Sequence, residues 1–294
     1  MKNILGIFVI AVISVMSFSS CDPIENRQVM QGATTMDRIN QFVTVTQEKS
    51  ADGKGTNYLQ LVSDGLDALS GWDFGNGTCV GTSNRVQLVL LGENTVVFTA
   101  LNGDGTTLQK SFTVNVDTLI GVSPAWGWLC GSGSKDWTWD TSVGNPYGMG
   151  DALWSNSADW WGPDISTNPE GPGATMTFSV RGASLTKNLT DGSTVKGAFG
   201  FVMGTVNPPG YTRSVGTLTT TVPVLVGQTT GATTGIGSSG KDVKAYQIIK
   251  LDDNHLYLSW PEPAKDGDGK PNPNAFVPSN GWGQSTLWFF KPAK

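Results

Sequence analysis

The chain has one histidine, three cysteines and only 15% charged residues in 294 positions. So few nitrogen and sulfur ligands cannot build an ordinary zinc site. The lone His255 follows the turn Asp252-Asp253-Asn254, where an imidazole reads as a solvated or capping group rather than a general base. Lys and Arg number 19 against 24 Asp and Glu, giving a net charge of −5 without basic clusters. Phosphate contacts need such clusters, so nucleic acid is not an expected partner. No apolar run reaches the roughly 20 residues of a membrane helix. The Gly-rich stretch Gly227 to Gly240 lacks the Gly-Lys-Ser/Thr ending of a phosphate loop and reads as a flexible loop. Asp266-Gly-Asp268-Gly is half of a calcium loop, but Lys270 takes the next alternate position, which favours a polar turn over a structural Ca²⁺ site. No cofactor is expected.

What the chain does have begins at its N-terminus. Lys2 precedes an apolar stretch from Ile4 to Met16, then Ser19-Ser20 and Cys21. A positive start, a short apolar core and small residues make a secretory signal over residues 1–20. The Ser-Ser-Cys ending resembles the bacterial lipobox in the looser form found in Bacteroidetes, with Phe18 in place of Leu. That resemblance implies lipidation of Cys21, and several acyl chains would hold the protein stably on a membrane. Removing Lys2 with the signal takes the formal charge from −5 to −6.

Glycine (38 residues) and threonine abound, and short alternating segments are spaced by turns, so an all-β fold is expected. Residues 21–36 read as a polar tether. Strands are expected from Phe42, over Tyr58 to Val62, from Gly71 running into a tight Gly-rich turn by Thr78, and over Arg85 to Leu91, Asn94 to Leu101 and Leu108 to Val116. The motif Trp72-Asp73-Phe74-Gly75-Asn76-Gly77-Thr78, with Val97 to Asn102 and Phe112 to Val116, resembles the immunoglobulin-like PKD modules. The resemblance covers about residues 37–119 and implies a sandwich serving as spacer. Trp72 is then expected between the sheets, and Gly75 and Gly77 in turn conformations that other residues resist.

A boundary falls over residues 117–124, and a second domain is expected over 124–294 as an antiparallel sandwich or barrel. Its strands are expected at Ala174 to Val180, Lys196 to Met203, Gly216 to Val226, Ala245 to Leu251, His255 to Trp260 and Ser285 to Lys291. Long loops are expected at 140–172, 205–214, 229–243 and 261–284. Ten of the 11 tryptophans lie here. Trp126-Gly-Trp128 and Trp137-Thr-Trp139 are read as strand pairs, each with both indoles on one face, and a core-facing placement is the plain reading. Cys79 and Cys130 fall in different domains, so pairing and free thiols both stay open.

Loop aromatics carry the functional expectation. Trp154, Trp160, Trp161, Tyr211 and Trp282 lie among Gly, Pro, Asn and Ser, where strand packing does not place them. Flat rings stack on the apolar faces of sugars, and Asp159, Asn280 and Gln284 supply hydrogen-bonding partners for hydroxyls. Glycosidase chemistry would need two carboxylates about 5–10 Å apart. The candidates Asp140, Asp151, Asp159, Asp164, Glu170 and Glu262 form no close strand-borne pair, so a non-catalytic protein is expected.

Signal, PKD-like module and Trp-rich β-domain together resemble the surface glycan-binding lipoproteins of Bacteroidetes polysaccharide-utilisation loci, of the type encoded at SusE and SusF positions. The stretches Lys135 to Asp140 and Asn145 to Gly150 add to that likeness. The resemblance implies an outer-membrane, outward-facing protein that captures a polysaccharide, with a neutral β-glucan as the guess, for a SusC/SusD-like uptake complex. A surface glycoside hydrolase and a structural or adhesive surface protein remain the alternatives.

Overall fold

The computed structural model of the protein describes residues 33–204, 213–228, 242–261, 264–265, 271–272 and 284–294. The signal, Cys21 and most of the tether lie outside the described residues, as do Tyr211, Glu262, Asn280, Trp282, residues 229–241 and the Asp266–Asp268 turn.

The fold is all-β. Its first unit opens with a short helix, α1 (Met36–Phe42). Thr35 caps it by accepting from the Arg38 N–H at 3.4 Å, and Asp37 sits in the first turn, where the helix dipole favours a negative charge. The end of the expected tether is therefore part of the fold, and the first strand starts at Thr44 rather than Phe42. Seven strands follow: β1 (Thr44–Lys49), β2 (Gly55–Val62), β3 (Leu69–Asp73), β4 (Thr78–Val80), β5 (Ser83–Gln87), β6 (Gly92–Leu101) and β7 (Thr107–Val116). They form two antiparallel sheets, ordered β1-β2-β5 and β4-β3-β6-β7. Alternate residues Leu59 and Leu61 on one sheet meet Trp72, Val96, Phe98 and Ala100 on the other, which is the period of two expected of half-buried strands. Trp72 is buried, lies 4.7 Å from the Phe98 ring and donates its indole N–H to Gly81 O at 3.1 Å. Gly75 takes a φ of +86°, as its turn requires. Gly77 does not use the left-handed region. It is needed for space, because a Cβ there would lie 2.8 Å from the Phe74 ring.

The second unit is an eight-stranded antiparallel barrel. It begins with helix α2 (Ala125–Cys130), so Trp126 and Trp128 are not a strand pair. Pro124 stands at the entry with its fixed φ, and the Ser123 hydroxyl accepts from the Ala125 N–H at 3.2 Å, which starts a helical turn instead. Trp126 packs on Phe199 and Phe201, with ring centroids 5.6 and 4.9 Å away. The strands are β8 (Ser134–Trp139), β9 (Tyr147–Asp151), β10 (Thr175–Ser179), β11 (Ser184–Asn188), β12 (Thr194–Met203), β13 (Gly216–Thr220), β14 (Ala245–Leu251), β15 (Leu256–Pro261), the two-residue pair β16 (Ala264–Lys265) and β17 (Pro271–Asn272), and β18 (Gln284–Pro292). Sequential neighbours pair from β8 through β10 to β15, β18 pairs with β15, and β18 closes on β8. Closure removes the free edges that an open sheet leaves unpaired.

Trp137, Trp139, Phe178, Leu185, Tyr246, Leu258, Trp288 and Phe290 fill the barrel interior. Among them, each buried Leu or Phe contributes roughly 1.5–3 kcal/mol. The Trp137-Thr-Trp139 pair thus faces the core as its strand spacing requires. The strand expected to reach Val226 stops at Thr220. Val224, Leu225 and Val226 are still buried, because side chains rather than a neighbouring strand take their backbone donors: Tyr246 Oη accepts from Val224 N at 3.1 Å and Glu170 Oε2 from Val226 N at 2.8 Å. Cys79 in β4 and Cys130 in α2 are free thiols. Burial raises both, the Cys130 thiol to about 12.

Candidate functional site: the tryptophan loop on strand β9

The long loop expected over residues 140–172 contains a strand. β8 and β9 both run antiparallel to β18, on the same edge and end to end: Trp139 faces Phe290, then Tyr147 faces Trp288 and Asp151 faces Gln284. They are one strand line interrupted by residues 140–146. Asp140 shapes the interruption. Its Oδ1 accepts from the Ser142 N–H and hydroxyl at 3.2 and 2.5 Å, and its Oδ2 from the Tyr257 hydroxyl at 2.7 Å. Burial alone would raise the Asp140 carboxyl, but the bonds from Ser142 and Tyr257 and the Lys291 charge outweigh it and leave it below the ordinary carboxylate value.

After β9 the chain turns back and lies along the strand's outer edge. Asp151 makes the turn. Its Oδ1 accepts from the N–H groups of Leu153 and Trp154 at 2.8 and 3.1 Å. The Ser155 hydroxyl accepts from Asp151 N at 2.7 Å and donates to Asp159 Oδ1 at 2.6 Å. Further on, Met149 N donates to Trp161 O at 2.6 Å and Trp160 N to Met149 O at 3.1 Å. Glycines permit this approach. A Cβ on Gly148 would meet Trp161 O at 2.1 Å, and one on Gly150 would fall within 3 Å of Leu287, Ser155 and Asp159 side-chain atoms. The Tyr147-Gly-Met-Gly-Asp151 run thus trades strand propensity for a surface on which a second segment can lie.

This segment carries the exposed tryptophans. Trp154 is 73% exposed, Trp160 43% and Trp161 44%, whereas Trp72, Trp137, Trp139 and Trp288 are at 2% or less. Asp159 is exposed, and Gln284 is half-buried opposite Asp151. Five of the eight residues expected to face a ligand (Trp154, Asp159, Trp160, Trp161 and Gln284) therefore gather along β9 and the start of β18. The other three lie outside the described residues. Asp159 is also a loop anchor through Ser155, a role that its sequence position does not reveal.

The carboxylates weighed for acid–base chemistry are committed elsewhere. Asp140, Asp151 and Glu170 are buried. Glu170 receives the Lys187 ammonium on Oε1 at 2.7 Å and the Val226 N–H on Oε2, while its backbone carbonyl accepts the Trp139 indole N–H at 2.7 Å. Asp164 is exposed and accepts from Ser166 N at 2.8 Å. His255 is half-buried, with Nδ1 2.8 Å from Asp252 Oδ1 in the β14–β15 turn. Among the described residues, no group of three or more His, Cys, Asp and Glu could hold a metal ion, and no helix is long and apolar enough to cross a membrane.

The buried Glu170–Lys187 pair is not among the residues that the sequence singles out together. Its signal was present: Lys187 follows Leu185 by two residues and so shares its inward phase on β11. Compared with known proteins, the chain matches no family model and no curated sequence.

Proposed function

We propose that this protein is a non-catalytic, lipid-anchored glycan-binding protein whose binding surface is the loop carrying Trp154, Trp160 and Trp161. The observation that carries the reading is the contrast among tryptophans. Three large rings are held at the surface on a segment clamped to β9, in a unit that buries its other described indoles wholly or in part. Keeping such rings in water forgoes their burial, and clamping the backbone removes the entropy that ligand binding would otherwise cost. Asp159 and Gln284 beside them suit sugar hydroxyls. A neutral polysaccharide, with a neutral β-glucan as the narrower guess, fits a chain with little positive charge. In this reading Cys21 anchors the protein to the outer membrane facing outward, the PKD-like sandwich acts as a stalk, and a SusC/SusD-like complex receives the glycan.

A hydrolase is the second reading, and the engagement of Asp140, Asp151 and Glu170 in structural bonds speaks against it. Binding isotherms against a polysaccharide panel, with a reducing-sugar assay alongside, test the proposal. Trp160→Ala and Trp161→Ala should each weaken binding by roughly 1–3 kcal/mol if stacking resembles that of bases on aromatic side chains. Release of reducing sugar would overturn the non-catalytic reading, and absence of binding across the panel would favour a structural or adhesive role.

A further inference from the structure

The two units meet around a cleft of about 540 Å³ at the other end of the barrel from the tryptophan loop. The strand register fixes that placement. Ser134 and Ser179 pair at the start of β8, while the loop follows Asp151 at the far end of the same strand line. One wall is the Asp73–Asn76 turn with residues 93–95 of the sandwich. The other is residues 132–134 and 179–181 of the barrel. Arg181 crosses between them, with Nη1 2.6 Å from Asp73 Oδ2. The turn that presents Arg181 is strained: Ala183 holds a φ of +44°, the one non-glycine residue in the left-handed region among those described. Nearby, Leu90 of the sandwich packs into the barrel's own hydrophobic cluster, so the walls are fixed by apolar contact and not by the ion pair alone.

We propose that this cleft is a second binding site, for a neutral polyhydroxylated ligand of the oligosaccharide class. Ligand sites favour junctions between domains, and this cavity falls within the usual range of roughly 300–1,000 Å³. Its lining divides about evenly between polar groups, including the hydroxyls of Thr95, Ser132 and Ser134 and the Glu93 carboxylate, and apolar ones, including the half-buried ring of Phe74 and Val89. Asp73 and Arg181 neutralise one another. Glu93 is left without an ion-pair partner among the described residues, which disfavours an anionic ligand. Donors and acceptors on both walls would engage sugar hydroxyls, which serve as both. A ligand held there would bridge sandwich and barrel. The proposal stands apart from the tryptophan loop and does not require it.

The test uses the full mature chain and neutral hexaoses of glucose, mannose and xylose as probes, read by amide NMR shifts. Binding at the cleft should move the amides of Phe74, Gly75, Ser132 and Arg181. The Glu93→Ala/Thr95→Val variant, altered at two exposed positions, should weaken that response about tenfold or more, equivalent to about 1.4 kcal/mol per factor of ten, with an unchanged melting temperature. Trp160→Ala should leave the cleft response intact. The cleft proposal and the loop proposal therefore fail separately in one spectrum. Cleft amides that stay still at millimolar concentrations of all three hexaoses would overturn the proposal. So would a cleft response indifferent to the double substitution.

Discussion

Gly148 and Trp161 touch through their backbones, and a single methyl group on residue 148 would lie 2.1 Å from the Trp161 carbonyl oxygen. Gly148 also sits at a φ of +143°, which side-chain-bearing residues rarely adopt. Gly148→Ala should therefore push the tryptophan loop off β9 and break the Met149–Trp161 and Trp160–Met149 hydrogen bonds. The expected cost is about 1–3 kcal/mol, the usual size of such local strain. Denaturant melts would register it. Acrylamide quenching should increase at the same time, because Trp160 and Trp161 would leave the strand edge. A variant with wild-type stability and quenching would show that the loop is not held there.

Asp151 acts at the other end of the same loop, where one carboxylate oxygen accepts two successive backbone N–H groups. Asp151→Ala leaves both donors without their acceptor, while the Ser155–Asp159 chain keeps its bond from the residue 151 backbone N–H. A loss of about 1–3 kcal/mol follows from leaving hydrogen-bonding groups unsatisfied. Asp151→Asn keeps a side-chain carbonyl acceptor and should lose less. The order Ala, then Asn, then wild type in urea midpoint is the outcome that checks the role. Equal losses would instead assign Asp151 a role dominated by its charge.

Much of this architecture can be read from residue order, and the exceptions share a cause. Strand alternation marks β6 and β7, the glycines of Asp73–Gly77 mark the turn from β3 to β4, and Trp137 and Trp139 face the core as two-residue spacing requires. The failures come where long-range contacts override local pattern. Val224 to Val226 look like the end of a strand because they are apolar, yet Tyr246 and Glu170 claim their backbone groups. Strand β9 looks like a loop because glycines 148 and 150 serve a partner segment that is invisible to local periodicity. Trp126 and Trp128 have strand spacing, but Ser123 and Pro124 start a helix before them. Within the candidate site, the exposure of Trp154, Trp160 and Trp161 follows from their polar, glycine-rich surroundings. The clamp that holds them does not, since it depends on which segment lies beside β9.

The Glu170–Lys187 pair closes the barrel end where residues 165–174 and 221–227 meet. Lys187 reaches it from the inward face of β11. Asn168 Nδ2 donates to Val226 O at 3.1 Å, so the two covering segments are joined at two points. Removing one partner strands a buried charge, and Glu170→Ala should cost roughly 3–5 kcal/mol. The paired change Glu170→Gln with Lys187→Met should recover most of that loss, because neither residue then carries a charge. Urea midpoints at constant m-value provide the measure. A double variant as unstable as Glu170→Ala would place the energy in packing instead of charge.

Alkaline pH should unfold the protein through groups that are protonated only when folded. Burial raises the phenols of Tyr147, Tyr246 and Tyr257 well above the usual tyrosine range, and it raises the Cys130 thiol to about 12. In the unfolded chain these groups lose their protons near pH 10 for tyrosine and near 8.5 for cysteine. Between those values and the raised ones the folded state binds more protons than the unfolded state, so stability falls as pH rises. The contribution is fully present below about pH 8.5. The loss begins with the thiols of Cys130 and Cys79 and steepens above pH 10 as the tyrosines join, each fully linked proton adding at most about 1.4 kcal/mol per pH unit. Cys130→Ala should remove the larger share of the early decline, since Cys130 is the more deeply buried of the two thiols, and Tyr246→Phe should make the later part shallower, although it also loses the hydrogen bond from Val224 N at every pH. Chemical denaturation between pH 7 and 11 resolves the two limbs. A stability that stays flat to pH 11 would mean that water reaches these side chains in the folded protein.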